Sequence, residues 1–312
     1  MSAARLSGPA AGRSAHLTGH MARRSARRDK SASRHSARPV AIFDSGVGGL
    51  TVFRAVRARL PCEHLVYFGD TAHVPYGTRS PATVNRLVRA HADFLVRKGI
   101  KCLVVACNTA SAVALGFLRS RLPVPVIGVI EPGVREALKC TRNGRVGVVG
   151  TRTTIASGAY QRRLSEGGGG IRVFPQACPL FVPLAEEGWA DHRMARIAAR
   201  EYLARLRKAR VDTVILGCTH YPLLKRAIGS VMGGGVKLVD SAEVVAEELA
   251  SQLEKMHLVR KNGVRGGETF FLTDTGGSFR SVAERFLGRP IGRMVKVRVT
   301  VSVSRDISGG RS

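Results

Sequence analysis

Two cysteines stand where an open sheet presents its chemistry. Cys107 closes the apolar run Val104-Val105-Ala106 and is followed by Asn108-Thr109; Cys218 closes Ile215-Leu216-Gly217 and is followed by Thr219-His220. In parallel sheets ligands bind beyond the carboxyl ends of the strands, so each thiol reads as a group delivered to a cleft. Asp44-Ser45, Asp70-Thr71, Glu131 and Thr151 hold the same kind of position. A thiol with an ordinary pKa of roughly 8.5 reaches both thiol and thiolate near neutral pH. Two thiols facing one carbon acid from opposite sides could remove a proton from one face and return one to the other, which is what a racemisation requires. His220 is a candidate to exchange protons with Cys218, and Asp44 with Cys107.

The other cysteines, Cys62, Cys102, Cys140 and Cys178, read as small core residues. No CxxC or Cys/His spacing suits zinc, so no metal is expected, and free thiols in a reducing cytoplasm fit the six cysteines best. Asp44-Ser45-Gly46-Val47-Gly48-Gly49 lacks GxGxxG spacing and any following Lys-Ser/Thr. Its Asp would repel a phosphate and suit a substrate ammonium, and its glycines suit a tight turn close to a ligand. His73, Tyr76 and Trp189 read as loop residues packed at the surface.

The elements that must position these groups alternate. Val40-Ala41-Ile42-Phe43, Leu65-Val66-Tyr67-Phe68, Leu103-Val104-Val105-Ala106 and Val126-Ile127-Gly128-Val129-Ile130 read as strands buried on both faces. Val146 to Val149, Ile171 to Phe174, Val214 to Leu216 and Lys237 to Val239 continue the series. A helix is expected over 80–98, with Ser80 as N-cap, Pro81 at its first position and Gly99 as its stop. Asp240-Ser241-Ala242-Glu243 caps another that reaches about Lys255. Such alternation predicts an α/β fold with mainly parallel sheets. The polar strand end followed by a Cys-polar-polar strand end occurs once in each half, which suggests two similar lobes with the active site in the cleft between them.

Phe43-Asp44-Ser45-Gly46-Val47-Gly48-Gly49-Leu50-Thr51-Val52 resembles the opening motif of the glutamate racemases, within the aspartate/glutamate racemase superfamily. Tyr67 to Thr71 with Val74 to Gly77, Val105 to Ser111, Val129 to Gly133, Gly150 to Ile155, Cys178 to Leu184 and Leu216 to Pro222 are similar to the family's later blocks, in order, from about Pro39 to Leu287. The resemblance implies a cofactor-independent enzyme that interconverts L- and D-glutamate and supplies D-glutamate for peptidoglycan. By it, Cys107 would take the α-proton of D-glutamate with help from Asp44. Cys218 would take that of L-glutamate with help from Glu186 and His220; the adjacent Glu187 competes for Glu186's role. Asp44, Ser45, Tyr76, Gly77, Asn108, Thr109, Thr151, Thr219 and His220 would hold the substrate. It also implies a first lobe over 39–128, a second over 129–239, and a return segment, 240–290, completing the first; 291–312 is poorly specified. A homodimer is left open. Related two-cysteine racemases acting on aspartate or hydantoins are the nearest alternative.

Charge points elsewhere and is set against this. The 312 residues carry 50 Lys+Arg and 22 Asp+Glu, a formal charge of +28, which raises a nucleic-acid partner as a question. Residues 1–38 hold nine of the basic residues and one acid, a net of +8, and no aromatic. That composition predicts a disordered tail: an organelle transit segment, a lineage-specific extension, or sequence upstream of a start at Met21. It has no apolar stretch of secretory length. At 5% aromatic content stacking platforms are scarce, which argues against nucleic acid. No apolar run is long enough to cross a membrane.

Overall fold

The structure is a computed structural model that describes residues 35–168 and 170–301. Most of the basic tail expected to be disordered therefore lies outside the described residues. Ten strands are described: β1 (Val40–Asp44), β2 (Leu65–Gly69), β3 (Cys102–Val105), β4 (Val126–Gly128), β5 (Arg145–Gly150), β6 (Arg172–Ala177), β7 (Thr213–Gly217), β8 (Lys237–Asp240), β9 (Glu268–Leu272) and β10 (Met294–Lys296). They form two all-parallel sheets, ordered β10-β9-β2-β1-β3-β4 and β6-β5-β7-β8. The α/β class with two lobes stands. The chain leaves the first lobe after β4, builds the second from β5 to β8, and returns to add β9 beside β2 and β10 at the edge.

The local rules explain most boundaries. The helix Pro81–Arg97 starts at Ser80, whose hydroxyl accepts from Thr83 N at 3.3 Å, and it ends before Gly99 at φ +74°. Asp240 caps Ser241–Lys255 by accepting from Ala242 N at 2.8 Å. One expectation fails: β4 stops at Gly128, and Ile130 opens the helix Ile130–Cys140. An apolar pentad cannot by itself distinguish a buried strand from the buried start of a helix.

Packing joins the lobes. The helix Leu50–Arg59 of the first lobe lies against Ser241–Lys255, which also packs on Ile130–Cys140. One apolar cluster runs through both lobes, from Val40 and Phe53 to Leu216, Leu249 and Phe286. A second fills the other face of the first sheet around Phe43, Phe68 and Val105. Beneath the first sheet Lys101 and Glu63 form an ion pair in which both side chains are 1% exposed. The same ammonium donates to Leu258 O, and Glu63 accepts from Arg260 N, so the pair fastens the returning chain.

Candidate active site

Register aligns the chemistry. In the first sheet Phe43 pairs with Phe68 and with Val105, so Asp44 closes β1 and Ser45 and Cys107 emerge level with each other just past the strand ends. In the second, Gly150 pairs with Gly217, so Thr151 and Cys218 emerge together. β1 and β5 are the strands where each sheet's order reverses, with β2 and β3 on either side of one and β6 and β7 on either side of the other. Both thiols thus flank a switch point, where open α/β sheets bind ligands.

The two switch points open onto one cleft. Its lining includes Ser45, Tyr76, Gly77, Cys107, Asn108 and Thr109 from the first lobe. Thr151, Glu186, Cys218, Thr219 and His220 come from the second. The cleft volume is about 180 Å³, about six water volumes, which suits a small metabolite and is below the range typical of drug-sized ligands. A larger groove of about 820 Å³, lined by Arg59, Arg135, Lys139 and Glu247 among others, includes none of these residues.

Each thiol has its own surroundings. Cys107 caps the helix Asn108–Arg121, accepting from Ala110 N and donating to Ser45 Oγ, both at 3.5 Å. Burial, reinforced by the negative charge of Asp44, pushes its pKa up to about 12. Asp44 is itself fully buried, accepting from Gly46 N at 3.0 Å and from Thr219 Oγ1 of the other lobe at 3.4 Å. Burial raises its pKa against the opposing pull of His220. Among the described residues no hydrogen bond joins Asp44 directly to Cys107; Ser45 stands beside the sulfur.

On the other side Cys218 Sγ lies 3.8 Å from His220 Nδ1, and His220 Nε2 lies 2.8 Å from Glu186 Oε1. Burial works against charge on this imidazole, yet its bonds to Cys218 and Glu186 outweigh that and lift it to about 10. Glu186, not Glu187, faces His220; Glu187 lines a separate apolar groove beside Trp189 and Met194. Phe286 packs edge-on against the His220 ring, and Arg285 donates to Glu186 O. Both belong to the helix Phe279–Leu287 of the returning segment, and no motif in the sequence marked them.

Donors for a ligand's carboxylates cluster where the lobes meet. The hydroxyls of Thr109, Thr151 and Thr154 lie within 3.0–3.1 Å of one another. Thr153 Oγ1 donates to Gly77 O at 2.9 Å. Asn108 Oδ1 accepts from Tyr160 OH at 2.7 Å, which leaves Asn108 Nδ2 buried with no protein partner. Such an orphan donor on a cleft wall suits an acidic ligand. Tyr76 departs from its surface reading. It is 1% exposed and gives its hydroxyl to Asp70 Oδ2 at 2.6 Å. Glu131 sits away from the cleft, paired with Arg119 and Arg163.

Comparison with known proteins agrees with this geometry. Residues 51–249 match the Asp/Glu/Hydantoin racemase family. A glutamate racemase of Geobacter metallireducens is 53% identical over 83% of this chain and 96% of its own length. A glutamate racemase isoform of Bacillus anthracis superposes with a TM-score of 0.81 at 39% identity, covering 85% of this chain and 99% of that one. The Francisella tularensis glutamate racemase in complex with D-glutamate superposes with a TM-score of 0.80 at 36% identity, covering 84% and 98%. Both the length of the match and the identity to whole relatives place the chain in the Asp/Glu/Hydantoin racemase family, among its glutamate racemases.

Proposed function

We propose that this chain interconverts L- and D-glutamate without a cofactor, by proton removal and return between two thiols. The observation that carries the reading is that Cys107 and Cys218, one from each lobe, line a single small cleft, each beside its own polar group. Cys218 as thiolate takes the α-proton of L-glutamate: the Cα–H bond breaks, an S–H bond forms, and the electron pair is left on the substrate. The thiol of Cys107 then gives its proton to the opposite face, leaving Cys107 as the thiolate. For D-glutamate the order reverses.

The electrostatics make the two sides unequal. Cys107, pushed up to about 12, rests as the acid. His220, lifted to about 10, rests as a cation with Nδ1 3.8 Å from the Cys218 sulfur, placed to exchange a proton with it. Asp44, Glu186 and His220 would reset the protons after turnover. The hydroxyls of Ser45, Thr109, Thr151 and Thr219, with the Asn108 amide, would hold the substrate's charged groups. They would also stabilise charge developing at its α-carboxylate. The substrate ammonium suits Asp44. In a bacterium the product would supply D-glutamate for peptidoglycan, and a cytoplasmic setting keeps both thiols reduced.

The test is α-hydrogen exchange in deuterated buffer, followed by NMR on each enantiomer of glutamate, on aspartate and on a hydantoin. Exchange and racemisation of glutamate are expected. No exchange with either glutamate enantiomer would sink the reading, and exchange of aspartate or hydantoin alone would move it to the neighbouring activities.

A further inference from the structure

A second cluster of donor atoms lies behind the cleft wall. Asp70 follows β2, His73 ends the short turn Thr71–His73, and His91 projects from the helix Pro81–Arg97. One ligating atom from each falls within 4.8 Å of the others. Asp70 Oδ1 is 2.7 Å from His73 Nδ1 and 3.6 Å from His91 Nε2.

The independent observation is His91. Its side chain is wholly buried between Phe43 and Phe68, and neither ring nitrogen has a hydrogen-bond partner. Buried polar groups in folded proteins are nearly always satisfied, and an orphan calls for an explanation. His91 Nε2 points at the carboxylate and stops short of hydrogen-bonding range. That spacing suits two ligands of one ion: bonds of about 2.0–2.2 Å in tetrahedral geometry hold ligand atoms about 3.3–3.6 Å apart. His73 would have to retreat from Asp70 by about half an ångström and settle at the same spacing from His91, the three donor atoms now lying within 4.8 Å of one another. Its side chain is 41% exposed, so it has room to do so and leaves a solvent path to a fourth position. The carboxylate is already oriented, taking Thr273 Oγ1 on Oδ1 at 2.8 Å and Tyr76 OH on Oδ2 at 2.6 Å, as outer-shell donors do at metal sites.

We infer that Asp70, His73 and His91 form a site for a divalent transition metal of the zinc type, separate from the two thiols. Two imidazoles and one carboxylate select Zn²⁺, Co²⁺ or Ni²⁺ over Mg²⁺ or Ca²⁺. The site does not depend on the racemase reading. It does adjoin the cleft, because the Tyr76 ring that lines the cleft rests its hydroxyl on Asp70. No cysteine or histidine spacing announced it, since His91 reaches the cluster only through folding.

The test is Co²⁺ titration of the full, reduced chain, read by its visible d–d absorption, with Zn²⁺ retention measured by equilibrium dialysis. The variants are His73→Ala, His91→Gln and the double variant Cys107→Ser/Cys218→Ser. One equivalent of tetrahedral Co²⁺ without a sulfur-to-metal charge-transfer band is expected, and it should persist in the double cysteine variant. His73→Ala should weaken it by more than about 100-fold, the upper range for losing an outer-shell partner. His91→Gln should do the same, and the exposed His73 decides the matter if that core variant does not fold. Absence of binding, binding undiminished in His73→Ala, or binding lost with the cysteines would overturn the proposal.

Discussion

Replacing Gly48 by alanine probes the Cys218 side of the cleft while leaving every proton-carrying side chain itself unchanged. A Cβ at this position would lie within 3.0 Å of Thr219 Oγ1 and of His220 Nδ1, and 2.6 Å from His220 Cε1. Comfortable carbon contacts begin at about 3.5 Å, so the imidazole must recede by about 1 Å. That displacement disturbs both its approach to Cys218 and its bond to Glu186. A misplacement of about 1 Å in a catalytic constellation costs about 100-fold in rate, or about 2.7 kcal/mol of transition-state stabilisation. Circular dichroism follows racemisation directly. The enantiomers have equal free energy, so kcat/KM should fall equally in both directions and cannot by itself report which side was damaged. Isotope effects can: with α-deuterated L-glutamate the effect should grow, because removal of that proton by Cys218 becomes the slower step. A folded Gly48→Ala protein retaining kcat/KM within about threefold of the parent would refute the placement of His220 as a working group.

Two further outcomes follow from the same geometry. Tyr160→Phe removes the donor that orients Asn108; losing about 1 kcal/mol of hydrogen bonding should raise KM about fivefold with kcat little changed, and an unchanged KM would free Asn108 from its assigned role. His220 is lifted from 6.5 to about 10 in the fold, so it keeps a proton that the unfolded chain releases above 6.5. Its contribution to stability is complete below pH 6.5 and is lost as pH rises through about 10. Urea unfolding between pH 7 and 10 should therefore show a steeper decline in the parent than in His220→Asn, and equal slopes would contradict the raised value.

Much of the scaffold was legible because it rests on short-range physics. Ser80, Pro81 and Gly99 bracket a helix through backbone capping alone, and Asp240 does the same for the next. The apolar runs ending at Asp44, Cys107 and Cys218 mark strands whose carboxyl ends must face a ligand. Glu186 is a different case: it came from family resemblance, since nothing at Val182-Pro183-Leu184-Ala185 predicts that its carboxylate meets His220. Arg285 and Phe286, which brace that pair, were invisible because they arrive by way of the returning chain. Tyr76 and His91 were hidden for a related reason. A polar aromatic in a loop or on a helix gives no sign of burial until the fold brings Asp70 to it.

The +28 charge looked louder than any of this, yet the cleft is built mainly of uncharged donors, with Arg152 the one lysine or arginine in its lining among the described residues. At most the basic field concentrates an anionic substrate near the cleft.

The central claim is that two thiols, one from each lobe, act on opposite faces of one α-carbon. Its most direct test is the racemisation rate of L-glutamate in Cys107→Ser, Cys218→Ser and the double variant, each shown to be folded by its thermal transition. Serine fills the same space but is too weak an acid to serve, so each single variant should lose about 10³-fold or more, as removal of a positioned acid or base does. The double variant should be scarcely worse than either single one, because the two groups act as a unit. Parent-like racemisation in either single variant would contradict the claim.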